Sequence, residues 1–308
     1  MILSVSRRTD IPNYYADWFL ERLKQGYLDV RNPVNAHQIS RISLDPQLID
    51  CIVFWSKNPE NLMKRLSELE EYLYYFQFTL TGYGPAIEPG LPDWEHLIGL
   101  FQKLATQIGS KRVVWRYDPI FFNETYTLEY HLEAFRRTAK ALQGYTERVM
   151  ISFMDFYAKT RRNTEGLGIR PMEEEEMRIL AEGLATIARE YGLFISTCAE
   201  EIDLSPEGIE HGSCIDKELI QELAGGQICG KQDKNQRKIC GCMESIDVGT
   251  YHTCLTGCKY CYANFSPQRV ARTVEAYDLY SSMLCASLQP GDEIKVRPMR
   301  KLKKEEKK

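Results

Sequence analysis

Three cysteines in one short segment are the residues of this chain best suited to chemistry. Cys254, Cys258 and Cys261 stand at the spacing C-x3-C-x2-C. Three thiolates bind three irons of a cubane iron–sulfur cluster, and the fourth iron then has no ligand from this segment. An open iron of this kind can chelate and reduce a small molecule. We therefore predict these cysteines as cluster ligands and Tyr260 as an aromatic shield at the cofactor site.

The other cysteines predict a second metal site or a set of buried thiols. Eight of the ten cysteines fall between Cys198 and Cys261, and clustered thiols in a reducing compartment are typical of metal ligands. A second iron–sulfur cluster, a zinc site or separate thiols are the alternatives for Cys198, Cys214, Cys240 and Cys242. Cys229, His211 or His252 could act as alternative ligands. Cys51 and Cys285 are expected in the core.

The three-cysteine spacing resembles that of the radical S-adenosylmethionine superfamily, whose signature has an aromatic residue before the third cysteine. Longer segments resemble a more specific group, the bacterial domain-of-unknown-function family 1848. These segments are residues 4–12, 54–59, 116–119 and 240–264. The resemblance extends from residue 1 to about residue 300, and it names no substrate.

The superfamily resemblance implies a [4Fe–4S] cluster and S-adenosylmethionine as cofactors, with a flavodoxin or ferredoxin as external electron donor. It implies that one electron enters the sulfonium, that methionine leaves, and that a 5′-deoxyadenosyl radical takes a hydrogen atom from a small-molecule or nucleic-acid substrate. Two other interpretations stay open. One is a metal-dependent barrel hydrolase or lyase with structural zinc, and the other is a nucleic-acid-binding or repair protein that uses Arg161, Arg162 and a basic C-terminus.

Short β-rich apolar runs alternate with segments of helical spacing, a pattern that predicts an α/β fold with a parallel sheet. The predicted strands are residues 2–6, 52–55, 75–80, 113–116, 149–153, 193–197 and, less clearly, 246–251. The predicted helices are residues 13–25, 58–72, 94–108, 128–143 and 172–191. Residues 32–45 predict a further strand or a small hairpin.

This alternation favours a TIM-barrel-like parallel β/α barrel with a cysteine-rich C-terminal region. Residues 1–197 are the main part of the barrel, residues 198–290 bind clusters and complete it, and residues 291–308 form a flexible basic tail. Superfamily members usually carry the cysteine segment after their first strand, whereas here it lies near the C-terminus. A circularly permuted barrel reconciles the two if strand 246–251 lies beside strand 2–6.

Polar residues follow the predicted strands, and in a parallel barrel the C-terminal strand ends converge on the active site. The predicted contacts to substrate or S-adenosylmethionine are therefore Arg7, Asp10, Lys57, Asn58, Arg116, Asp118, Asp155, Lys159 and Glu200. The basic members of this set would hold carboxylates, and the acidic members would hold hydroxyl or amino groups.

Composition and missing motifs narrow the function classes. The net charge of −4 argues against a broadly basic nucleic-acid surface. The N-terminal residues lack a secretory signal, and no run reaches the roughly 18 apolar residues of a membrane span, so we expect a cytoplasmic protein with no membrane partner. The sequence also lacks a phosphate-binding glycine loop, a dinucleotide fingerprint and a Ser-His-Asp pattern.

Overall fold

The computed structural model describes residues 1–234 and 236–304. Its strands are β1 (Ile2–Val5), β2 (Tyr27–Arg31), β3 (Gln38–Ser43), β4 (Cys51–Ser56), β5 (Tyr74–Thr79), β6 (Val113–Ile120), β7 (Arg148–Phe153), β8 (Phe194–Cys198), β9 (Glu210–Gly212), β10 (Ser245–Asp247) and β11 (Glu293–Val296). Its α-helices are α1 (Ile11–Tyr14), α2 (Ala16–Gln25), α3 (Glu60–Met63), α4 (Trp94–Ile108), α5 (Leu128–Leu142), α6 (Ala158–Asn163), α7 (Glu174–Glu190), α8 (Lys217–Ala224) and α9 (Pro267–Val274).

The main sheet of the described residues has eight parallel strands in the order β10-β1-β4-β5-β6-β7-β8-β9. Both faces of this sheet are covered, which is why its strands are nearly continuous apolar runs. In β4, Ile52 and Phe54 pack into the larger hydrophobic core, whereas Cys51 and Val53 pack into a second core on the opposite face. The predicted α/β fold with a parallel sheet is therefore confirmed.

The main sheet is curled. The evidence is that a residue beyond one edge of the sheet contacts a central strand. Cys214 follows β9, yet its carbonyl oxygen accepts hydrogen bonds at 2.7 Å from Tyr75 Oη and from Gln77 Nε2 of β5. The amide of Met243, just before β10, donates to the carbonyl of Ile215 over 3.1 Å. The chain after β9 and the chain before β10 are thus close together, although no ladder joins these two strands in the described residues.

Strand β10 lies beside β1, as the permuted arrangement requires. The two strands are parallel, with Leu3 opposite Ile246. Asp247 links the end of β10 to β1, since its carboxylate accepts hydrogen bonds from Ser4 Oγ at 2.9 Å and from the Arg7 amide at 2.8 Å. The segment that carries the three cysteines therefore leaves the sheet next to the residues that follow β1.

Several local elements differ from the prediction. The first helix is broken at Tyr15 into α1 and α2, and the predicted helix 58–72 is only α3 with a 3-10 turn at Leu66–Leu69. Cys285 is buried as expected and lies in a turn, with φ at 49°. The prediction for residues 32–45 is confirmed, because they contribute β3, which forms an antiparallel hairpin with β2.

The C-terminal segment is docked over its described length rather than free. Strand β11 pairs with β3, and the carboxylate of Asp50 accepts from the amides of Leu302 and Lys303 at 2.8 and 2.9 Å. Residues 305–308, the end of the expected flexible tail, lie outside the described residues. None of the helices in the described parts of the chain has the length and apolarity needed to cross a membrane.

Candidate functional site

A cavity of about 770 Å³ lies at the C-terminal ends of the main-sheet strands. All the residues predicted as metal or cofactor ligands line it, namely Cys198, Cys214, Cys240, Cys242, Cys254, Cys258, Tyr260 and Cys261. Of the predicted rim contacts, those that line it are Arg7, Asp10, Lys57, Arg116, Asp118, Asp155 and Lys159. Asn58 and Glu200 do not line it.

The three-cysteine segment is held by contacts to its backbone and to Thr256. The thiol of Cys254 lies 3.4 Å from Thr256 Oγ1, and the Cys254 carbonyl accepts from Asn264 Nδ2 at 2.8 Å. The amide of Gly90 donates to the Thr256 carbonyl over 3.0 Å. Gly257 turns the chain between the first two cysteines with φ at 73°, a conformation that favours glycine.

Burial keeps the three thiols neutral in the absence of a ligand. It raises the pKa of Cys254, raises the pKa of Cys258 well above its ordinary value, and raises the pKa of Cys261 to about 11. A metal replaces the proton of a thiol when it binds. Within residues 1–234 and 236–304, no group of three or more His, Cys, Asp or Glu side chains is arranged around a single metal position.

A buried ion pair lies next to this segment. Lys57 Nζ is 2.8 Å from Glu88 Oε1, and the same carboxylate accepts from Thr81 Oγ1 at 2.9 Å and from the Tyr260 hydroxyl. Burial opposes the charge of Lys57, but Glu88 and Cys258 together raise its pKa. No sequence signal marks Glu88 as a site residue, because residues 82–93 carry only the glycine and proline signals of a loop.

The second set of cysteines also converges. Arg116 Nη1 donates to the sulfur of Cys214 over 2.7 Å, and the amide of Ile215 donates to the sulfur of Cys242 over 3.4 Å. The pKa of Cys242 lies below its ordinary value because Cys198, and then Cys214 and Cys240, present their thiols to its sulfur. Four cysteines from distant parts of the chain therefore line the same cavity, although they are not arranged around a single metal position in the described residues.

The alternative ligands named from the sequence lie elsewhere. Cys229 is exposed, and neither it nor the two histidines lines the cavity. The ring of His211 is hydrogen-bonded through Nδ1 to Thr197 Oγ1 at 3.2 Å, and Nδ1 of His252 accepts from the Phe265 amide at 3.0 Å. The structure groups these residues with local backbone and hydroxyl partners instead of the cysteines.

Two polar residues after β1 and β4 hold the strand ends in place. The carboxylate of Asp10 accepts from Ser56 Oγ at 2.7 Å and from the amides of Lys57 and Asn13 at 2.8 and 3.1 Å. Burial raises the pKa of Asp10 to about 6. Asn58 accepts from the Glu60 amide at 3.3 Å and so supports the start of α3. Asp10 joins two neighbouring strand ends while facing the cavity.

The acidic residues in β6 and after β7 and β8 have different partners. Burial opposes ionisation of Asp118, but Arg116 and the Ser152 hydroxyl lower its pKa below the usual value. Asp155 pairs with Arg237 at 2.7 Å. The carboxylate of Glu200 accepts from the Phe153 amide at 3.0 Å, and burial raises its pKa to about 7.

Several basic residues of the rim lie over aromatic rings. Lys159 Nζ lies 5.3 Å from the centre of the Tyr251 ring. Trp55 lies between two guanidinium groups, with Arg7 and Arg116 each 5.1 Å from its ring centre. Trp55 is predicted from the sequence only as a strand residue. An aromatic residue directly before Ser56 and Lys57 at a strand end could have indicated a site residue.

A family described as Domain of unknown function (DUF1848) matches residues 2–263. This chain belongs to that family. The match includes β1 to β10 and both sets of cysteines, and the predicted family is confirmed. A search of curated proteins found no match.

The residues of this DUF1848 protein suit a thiolate-bound iron–sulfur cluster at the three-cysteine segment. The donors are three soft sulfur ligands from one segment, and they face a cavity large enough for a small molecule. Lys57 supplies a nearby positive charge. Asn264 Oδ1 is buried without a hydrogen-bond partner in the described part of the chain, so the segment retains a free polar acceptor.

Proposed function

We propose that this protein is an iron–sulfur enzyme of the radical S-adenosylmethionine type. The observation that carries the proposal is the convergence of the three-cysteine segment and the strand-end rim on one cavity. Cys254, Cys258 and Cys261 would hold a [4Fe–4S] cluster with one open iron. The substrate would occupy the same cavity, next to the charged rim.

The strand order supports a permuted barrel. With β10 counted first, the strands follow one another along the sheet in chain order, from β1 and β4 through to β9. The cysteine segment then follows the first strand, which is its usual place in the superfamily that it resembles. The curl of the sheet through Cys214 and Tyr75 also agrees with a barrel-like closure.

A bound cluster of this kind, reduced by a flavodoxin or ferredoxin, supplies the electron that cleaves S-adenosylmethionine into methionine and a 5′-deoxyadenosyl radical. The chain's own residues would bind and orient the reactants. Lys57 would offset the negative charge of the thiolates, and Lys159 or Arg237 could hold a carboxylate by charge-assisted hydrogen bonds. Tyr260 and the buried walls would keep water from the reacting atoms.

The test is anaerobic reconstitution with iron and sulfide, followed by incubation with dithionite and S-adenosylmethionine. We expect 5′-deoxyadenosine and methionine in equal amounts, detected by liquid chromatography and mass spectrometry. Cys258→Ala should abolish both products. Cys229→Ala is the matched control, because that cysteine is exposed and outside the cavity, and it should retain them.

Two results would contradict the proposal. One is a wild-type protein that carries the cluster and forms no 5′-deoxyadenosine. The other is a protein that takes up zinc but neither iron nor sulfide, which would favour a metal-dependent hydrolase or lyase instead.

A further inference from the structure

The four-cysteine set is a group of ligands that the proposed reaction does not use. Cys198 ends β8, Cys214 follows β9, and Cys240 and Cys242 precede β10. The curl of the sheet brings these segments to one wall of the cavity. We propose that Cys198, Cys214, Cys240 and Cys242 bind a second iron–sulfur cluster, with Arg7 and Arg116 as its counter-charges.

The positive charges of Arg7 and Arg116 beside these thiols favour a negatively charged group at this position. Arg116 Nη1 donates to the Cys214 sulfur at 2.7 Å, while its other amino group pairs with Asp118. Arg7 Nη2 is buried without a hydrogen-bond partner in the described residues. A buried cation is costly unless a negative group compensates it. Four metal-bound thiolates supply several negative charges beside these arginines, more than the same cysteines supply without a metal.

Trp55 fixes the position of both cations. Its ring has the guanidinium of Arg7 and that of Arg116 at 5.1 Å from its centre. Contacts of this kind stabilise a cation and restrict its side chain. The two arginines are therefore held in place before any metal binds, Arg116 against the Cys214 sulfur, as expected for groups that support a cluster from outside its ligand set.

The ligand pattern favours an iron–sulfur cluster over zinc. Cys240 and Cys242 are separated by one residue, which is tighter than the spacing of two to four residues in common zinc knuckles. These four cysteines line the cavity that the first set also lines. Four cysteine thiolates are the usual ligands of iron–sulfur clusters.

The proposal is tested in a protein that cannot assemble the first cluster. The variant with Cys254, Cys258 and Cys261 all changed to alanine is reconstituted anaerobically, and its iron, sulfide and zinc are measured. We expect about four irons and four sulfides per chain for a cubane cluster. Adding Cys240→Ala and Cys242→Ala should remove them, while adding Cys229→Ala should not. Zinc alone, or no metal, in the triple variant would overturn the proposal.

This result is independent of the radical reaction, because the triple variant lacks the ligands of the first site. Failure of the second site would leave 5′-deoxyadenosine formation by the wild type intact. Failure of the proposed function would leave iron in the triple variant. The two proposals therefore fail separately.

The counter-charges are tested by Arg7→Gln in the same triple variant, where all four thiols remain. Reduction adds negative charge to a cluster, so loss of a nearby cation should lower its reduction potential. Arg7→Lys should restore much of the potential, and Arg161→Gln is the control, since Arg161 stacks on Phe156. Circular dichroism checks folding. An unchanged potential in a folded Arg7→Gln protein would overturn this part.

Discussion

Lys57 and Glu88 form a buried ion pair next to the three-cysteine segment, with Nζ and Oε1 separated by 2.8 Å. The two side chains are only 14% and 4% exposed. Lys57 follows β4, and Glu88 belongs to the loop after β5. The pair therefore joins two strand ends and places a positive charge near Cys258.

Removal of one partner should destabilise the fold. Glu88→Gln leaves a buried ammonium without its carboxylate, and we expect the free energy of unfolding to fall by about 3 kcal/mol. Urea denaturation of the metal-free protein at pH 7 measures this. Glu60→Gln removes the exposed partner of Lys64, 3.5 Å away, and should cost less than about 1 kcal/mol. Equal effects of the two changes would show that the Glu88 pair contributes no more than a surface pair.

Gly90 has no room for a side chain. A Cβ atom there would lie 2.5 Å from the Thr256 carbonyl oxygen and 2.9 Å from Thr256 Cα. Gly90→Ala should therefore displace the three-cysteine segment and lower the iron bound after reconstitution, with a loss of stability of about 1–3 kcal/mol.

Gly99→Ala is the control for this change, because, its own helix backbone aside, no described residue comes within 4 Å of its Cβ position in α4. It should keep full iron content and gain roughly 0.5–1 kcal/mol from helix propensity. Full iron content in Gly90→Ala would contradict the close contact.

His131 should make stability depend on acid. Its Nε2 donates to the Phe121 carbonyl at 2.9 Å, so its Nδ1, 2.8 Å from the Tyr117 hydroxyl, accepts in the neutral ring. Burial lowers its pKa from 6.5 to about 4. The folded state therefore binds fewer protons than the unfolded state in this range. Stability from His131 is fully present above pH 6.5 and is lost as the pH falls toward 4.

Urea unfolding at pH 7, 5.5 and 4.5 measures this dependence. Between pH 7 and 4.5 the wild type should lose about 2 kcal/mol more stability than His131→Asn, which starts from a lower stability. His96→Gln replaces a half-exposed histidine and should keep the wild-type slope. Identical slopes in all three proteins would contradict the burial argument.

Asp247 should be needed to anchor the cysteine segment. Its carboxylate accepts from Ser4, Ser6 and two backbone amides at 2.8–3.0 Å. Asp247→Asn replaces one acceptor oxygen by an amino group that faces donors, at a cost of about 1–3 kcal/mol. Iron content should fall with stability. The control is Asp278→Asn, at an exposed turn, which should change neither iron content nor stability. A wild-type iron content in Asp247→Asn would contradict the prediction.

Most of the secondary structure and the first cysteine set could be predicted from the sequence. Strands such as β4 and β5 are short apolar runs, and helices such as α4 and α5 show regular apolar spacing, because burial of one face depends on local periodicity. Cys254, Cys258 and Cys261 fall within eight residues of chain. Thiols so close in sequence are near one another in almost any fold.

Tertiary structure alone decided which distant residues meet. The ladder between β1 and β10 joins Leu3 to Ile246 across nearly the whole chain, and no local signal specifies such a pairing, because its stability comes from contacts formed only after the chain folds back. The same holds for Glu88 beside Lys57 and for Cys214 beside Arg116. Residue types and their spacing determined which groups the side chains of this protein are suited to bind. The curl of the sheet determined that both sets of sulfurs line one cavity.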